Sequence, residues 1–475
     1  MKKIAIIISI LAITTLLSCK KSFLEIVPRG NLVAEKTNDY NLLLNNLDLL
    51  NVLTDAQVAM GDEVAAVEPF FSGSALRTQR LFRWEDVIYE PDQDAVEMTV
   101  PMRNIYTYNK IINEVMDSKE GTEAQKKSIR AEALAGRAWT YFLLINYYGK
   151  PYSASAANDP GYPIITKSDV TQTQFSRATV KEVYDFIIND LTAAIPDAPA
   201  RTSHRLRMSK PAAEGILAKV YMTMGRFNDA LPLLNNAIAG LSNATISVRL
   251  YDYNVTFGTG GSFLPIGTFG PAYPTVPNIE ENLYAKQFVN SWAFSASELV
   301  MHPQTVAIFK SSDLRLRFFT NTPYPSGAVY PSGMLRKRGQ TSNIIGLTVP
   351  DLYLMRAECK SRLNDLTGAK ADVEFLRARR MPAADVAIPA AAMTDAVTLT
   401  NFILEERIRE FAVTGYRWFD MRRLSVDPVY NATVTTTHTL YTATGTTTFT
   451  LKPERFVLRF PQKVMEQNPG MQNNQ

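Results

Sequence analysis

The stretch Leu404–Leu424, LEERIREFAVTGYRWFDMRRL, carries the fold's most constrained order of bulky and charged residues. Leu404, Ile408, Phe411 and Ala412 recur at helical spacing, and Glu405, Glu406, Arg409 and Glu410 take the opposite face. Gly415 follows the last periodic residue, where a left-handed backbone closes a helix without a Cβ clash. The spacing therefore predicts a corner after which Tyr416-Arg417-Trp418-Phe419-Asp420 lays its aromatics back on the helix. Such a corner needs no ligand: the rings are buried and Asp420 pairs with Arg417 or Arg422.

Working outward, the helical pattern recurs. Asn38–Leu53 is leucine-rich at helical spacing, and Asn104–Met116 places Ile105, Tyr108, Ile111, Ile112 and Val115 on one stripe. Ile129–Tyr148 opens amphipathic and becomes apolar on nearly every side, which predicts deep burial, and Gly149-Lys150-Pro151 stops it. Thr179 and Glu182 form a capping box for a helix striped by Val180, Val183, Ile187, Ile188 and Leu191. From Ala218 through Tyr221, Gly225, Ala230 and Leu234 to Ala237, small and large residues fall at tetratricopeptide offsets, and a weaker copy spans Ala357–Leu376. Two such hairpins cannot bury their own faces, so they must pack on a common body. Asn431–Leu451 is threonine-rich with period two around Gly445, a β-hairpin.

Glu406-Arg407-x-Arg409-Glu410 followed by Gly415-x-Arg417-Trp418-Phe419-Asp420-x-Arg422-Arg423 resembles the C-terminal signature of the SusD/RagB family of nutrient-binding outer-membrane lipoproteins. The string from Arg130 through Trp139 to Tyr147-Tyr148-Gly149-x-Pro151 is similar to that family's N-terminal half, and Phe460-Pro461 with Asn468-Pro469 and Met471 resembles its closing segment. Thr414 departs from the pattern, since members often carry an acid before the glycine; a surface contact is lost, not the fold. The resemblance implies a mainly α protein: a single SusD-like domain with tetratricopeptide-like hairpins, long aromatic loops and a small β-hairpin.

With 475 residues, 46% hydrophobic and 20% charged, the chain can bury a large core. Met1-Lys2-Lys3 and the apolar run Ile4–Leu17, too short to span a bilayer, form a signal peptide that closes on the lipobox Leu16-Leu17-Ser18-Cys19. Residues 1–18 are expected to be removed, and Cys19 to be lipidated with the two or three acyl chains that stable anchoring needs. Residues 19–475 then form the domain: a half to about 250, a loop-rich middle 251–349 and a C-terminal part 350–475. Without Lys2 and Lys3 the chain is nearly neutral, so no nucleic-acid partner is expected.

Between Leu250 and Val349, Gly, Pro, Ser, Thr and Tyr replace the leucine stripes, which predicts loop. Its aromatics argue against disorder. Ring faces beside amides and arginines suit a neutral sugar, whose C–H face stacks while its hydroxyls take planar hydrogen-bond partners. Trp292 offers the largest stacking face and is the first choice for a sugar platform, with Tyr273, Tyr284, Tyr324 and Tyr330 beside it; Arg77 and Trp84, in the irregular segment Gly73–Asp94, form a second candidate group.

Catalytic motifs are missing. No P-loop, GxGxxG after a strand, GxSxG, HExxH or CxxC occurs, and the two cysteines and three histidines form no metal motif. Glu405-Glu406 and Asp92 with Asp94 are too ordinary to mark a glycosidase, and calcium at Asp92/Asp94 is weaker still, so no enzyme and no cofactor are expected. The resemblance implies a lipid-anchored outer-membrane protein, facing the cell exterior, that binds a glycan and serves a SusC-like TonB-dependent transporter. The alternative is a lipid-anchored tetratricopeptide-like scaffold that binds proteins or peptides in the envelope.

Overall fold

The computed structural model describes residues 34–475; the leader, Cys19 and the tether beyond it lie outside the described residues. The helices of seven or more residues are α1 (Thr37–Leu43), α2 (Leu76–Phe82), α3 (Val96–Glu114), α4 (Glu123–Tyr148), α5 (Val180–Ala194), α6 (Lys210–Thr223), α7 (Phe227–Gly240), α8 (Val349–Arg362), α9 (Leu366–Arg377), α10 (Ala396–Phe411) and α11 (Tyr416–Ser425). α4 begins on a Thr122/Gln125 capping box and is buried from Ala131 to Tyr148 on every side. Thr179 and Glu182 make the expected reciprocal cap of α5. The hairpins α6/α7 and α8/α9 pack against each other through α7 and α8. Both repeat copies thus bury their faces on the common body, as two isolated hairpins require.

Three parts of the chain meet in one sheet. β1 (Val64–Val67) lies between β4 (Leu299–Met301), antiparallel, and β9 (Thr437–Thr442), parallel; β10 (Gly445–Thr450) closes the expected hairpin with β9. Register pairs Ala66 with both Leu299 and Leu440. The central core runs without a break from Val52 to Phe460.

The structure corrects two loop assignments. The middle segment is helix-poor, yet it folds into short antiparallel pairs: β2 (Asn282–Tyr284) with β8 (Leu347–Thr348), β3 (Gln287–Val289) with β7 (Ser342–Ile344), and β5 (Phe319–Thr320) with β6 (Arg336–Lys337). These strands are two or three residues long, below the length at which alternation can be read from sequence. The segment Gly73–Asp94 contains α2, whose seven residues fall equally short of a periodic signal.

At the corner, Gly415 adopts φ 88° and directly precedes α11. Trp418 is buried against Phe456 at 5.7 Å. Apart from exposed Glu405, however, the charged face of α10 is not solvated. Glu406 accepts from Arg315 at 2.7 Å, Arg377 at 2.8 Å and Arg409 at 2.9 Å. Glu410 accepts from Arg380 at 2.8 Å and Arg315 at 3.1 Å. Asp420 pairs with Arg407 and Arg423, each at 2.8 Å, and not with Arg417 or Arg422. Arg417 instead reaches Asp62, and Arg422 the Gly149 carbonyl at the end of α4. These ties fix the middle segment and the N-terminal half to the corner.

Candidate functional site

Most of the expected ligand residues turn out to be supports. Trp292 is 1% exposed; Asn290 caps its short helical turn and its Nε1 donates to Glu298 Oε1 at 2.8 Å. Tyr330 is buried and its hydroxyl donates to the Ser297 carbonyl at 3.1 Å. Tyr284 sits in the core against Trp139, with the Lys286 ammonium 4.6 Å from its ring centroid. Tyr273 packs edge-on to Phe263 and Phe318 in a satellite core. Trp292, Tyr330 and Tyr284 offer no outer face to a sugar, whereas Tyr273 is half-buried and lines a cavity beside Tyr253.

The second group fails for the same reason. Trp84 is buried and stacks on His438 at 3.7 Å, and its Nε1 donates to the Met60 carbonyl at 3.2 Å. Arg77 is held by Asp55 at 2.6 Å and by buried Glu97, with Tyr89 completing the set. Its guanidinium is committed.

What reaches the surface is a neighbouring stack. Phe269, 43% exposed, lies parallel to Phe294, with centroids 4.3 Å apart and planes at 6°; Tyr324 stands 5.4 Å from Phe269 at 31°. The Phe269 loop is pinched by reciprocal backbone bonds between Gly267 and Gly270, both 3.0 Å. Gly270 has φ 100°, and a Cβ there would meet the Arg338 backbone at 3.0 Å, so glycine is required for the loop to lie this close.

The other two loops are stapled from below. Buried Arg336 donates to the carbonyls of Phe294 at 3.2 Å and Thr322 at 3.4 Å, and the Tyr324 amide donates to Ser297 Oγ at 2.8 Å. Trp292 and Tyr330 lie directly behind these loops. The three rings therefore form a preset, partly exposed apolar face, which costs little side-chain entropy on binding. Of the expected residues only Tyr324 belongs to it. Phe269 and Phe294 were visible as aromatics of the middle segment, and the pinching Gly267/Gly270 pair was the signal that marks the exposed one.

Cys359 is buried in α8, where burial pushes its thiol pKa well up. Among the described residues no group of three or more His, Cys, Asp or Glu side chains could hold a metal ion, and no helix is long and apolar enough to cross a membrane.

Residues 52–222 match the SusD-like family described as "Starch-binding associating with outer membrane", and residues 310–475 match the SusD family. The chain belongs to the SusD/RagB family. A SusD-like protein, P2, of Formosa agariphila is 25% identical over 356 residues, which are 64% of this chain and 66% of that protein. A SusD-like protein of Bacteroides ovatus is 24% identical, over 66% of this chain and 62% of its own length. The match thus spans just under two thirds of these curated relatives. A SusD superfamily protein of Bacteroides thetaiotaomicron superposes with TM-score 0.69 at 16% identity, covering 93% of this chain and 100% of the other. A protein described as a putative sugar binding protein, from Bacteroides vulgatus, superposes with TM-score 0.67 at 17% identity, covering 94% and 99%. The mainly α SusD fold expected from the signature is the fold observed.

Proposed function

We propose that this SusD-family protein captures a glycan on the Phe269–Phe294–Tyr324 face and delivers it to a SusC-like TonB-dependent transporter in the outer membrane. The observation that carries the reading is the exposed, pre-stacked ring face, in a family whose description is of starch binding. A pyranose lays its C–H face on such rings without rearranging them. The protein is a binder and not an enzyme. Lipidation at Cys19 tethers it to the membrane, and no cofactor takes part.

A shallow, wet sugar site of this kind binds in the micromolar to millimolar range, about −8 to −4 kcal/mol. The test is calorimetric titration of neutral oligosaccharides against the soluble Cys19→Ala protein and its Phe269→Ala and Tyr324→Ala variants. Binding weakened tenfold or more, with the melting temperature kept, supports the face. Unchanged binding in both variants removes it, and binding only of peptides would favour the protein-scaffold alternative.

A further inference from the structure

Behind the ring face, across the Arg338–Gly339 backbone, a cavity of about 140 Å³ opens between Lys337–Ile344 and the Ala412–Thr414 turn. One water needs roughly 10–15 Å³ by this measure, so the space suits about ten waters or a single pyranose, not an oligosaccharide. Tyr253, Phe318 and Phe319 supply an apolar wall, and the mouth is formed by half-exposed Gln340, Ser342 and Asn343.

Its charges do not balance. The acids on the wall are committed: Glu281 takes Arg380 at 2.6 Å, and Glu410 takes Arg380 and Arg315. Arg409 is held by Glu405 and Glu406. Lys337 and Arg338 remain, and neither forms an ion pair with a carboxylate among the described residues. The Lys337 ammonium donates to the Ala412 carbonyl at 3.1 Å and rests 5.0 Å from the Phe319 centroid, which leaves donors unused. Arg338 Nε is buried without an acceptor, and Nη2 has only a long 3.4 Å contact with the Arg317 carbonyl. Burial draws the Lys337 pKa down to about 8, against the raising influence of Glu410. Both cations line the space with donors that the protein leaves unused, and an anion there would take charge-assisted hydrogen bonds from them.

We propose that this cavity binds the carboxylate of one small hydroxylated acid, a hexuronic acid in size and chemistry, through Lys337 and Arg338. Phe318 and Phe319 take the C–H face of its ring. Gln340 and Asn343, whose side-chain oxygens accept no hydrogen bond among the described residues, take its hydroxyls. The site is separate from the ring face and does not rest on it.

The test is titration of glucuronate, glucose and inorganic phosphate into the soluble full chain at pH 7. Glucuronate should bind at least tenfold more tightly than either of the others. Lys337→Met and Arg338→Gln should each weaken it tenfold or more, while Phe269→Ala leaves it intact. Lys337→Met removes the hydrogen bond to the Ala412 carbonyl and the contact with Phe319, so half-exposed Arg338→Gln gives the same readout should Lys337→Met fail to fold. Equal binding of glucose, equal binding of phosphate, or retention of glucuronate by Arg338→Gln would each overturn the assignment.

Discussion

At the residue scale, the aromatic side chains divide by what lies behind them. Trp292 fills the space under its loops, so Trp292→Ala should cost on the order of 3–5 kcal/mol. Its melting temperature should fall together with binding. Phe269→Ala removes a ring already 43% in water and should leave the melt nearly unchanged. Paired melts and titrations check both; a stable Trp292→Ala protein that has lost binding would return Trp292 to the site. Sequence reasoning ranks rings by size, whereas exposure depends on tertiary contacts such as the Glu298 acceptor that locks the indole inward.

Glu63 makes a sharper residue-scale case. Both its carboxylate oxygens are buried without a partner, and burial, then Asp62 beside it, pushes its pKa up to about 8. The folded value lies above the unfolded value near 4.5, so its contribution is fully present below pH 4.5 and is lost as the pH rises through 8. The loss is on the order of 3–5 kcal/mol. Glu63→Gln should therefore melt increasingly above the wild type from pH 5 to pH 8. A constant difference across that window would show that the carboxyl does not titrate.

At the element scale, α10 and α11 carry the most legible pattern in the sequence, and even there part of the structure is not local. Helical spacing, Gly415 and the burial of Trp418 were legible because each is a local rule. The burial of the charged face was not, because the partners Arg315, Arg377 and Asp351 come from distant segments. The short strands of the middle segment are not legible in the sequence for the related reason that their order is imposed by neighbours. Burial resists ionisation of Glu406, but Arg315, Arg409 and Arg377 outweigh it and hold the pKa near 2. A depressed value contributes stability that is present above about 4.5 and lost as the pH falls through 2. Melts from pH 6 to pH 2.5 should show this loss, of the order of 3 kcal/mol. Glu406→Gln should start roughly 3–5 kcal/mol lower at pH 6, with three arginines left short of a partner, and respond less to acid. Equal acid sensitivity in both proteins would place the effect elsewhere.

For the whole molecule, the deciding element is the sheet that no part of the chain builds alone. β1 comes from the N-terminal half, β4 from the helix-poor middle, and β9 with β10 from the C-terminal part. The central core likewise draws on Val58, Trp292 and Trp418 at once. A chain of this length ordinarily unfolds through intermediates. Here neither the middle nor the C-terminal part can leave without stripping β1 of a neighbour, so a single transition is expected. Fluorescence, dominated by tryptophans in different parts of the chain, should coincide with far-UV circular dichroism. Ala66→Pro tests the seam directly. Ala66 is paired on both sides, and proline removes a ladder donor in a strand with no free edge, at about 3 kcal/mol or more. Both probes should shift down by the same interval in that variant. Should fluorescence move while the helical signal stays in place, the middle and the C-terminal part would be separable units and β1 only a surface attachment between them.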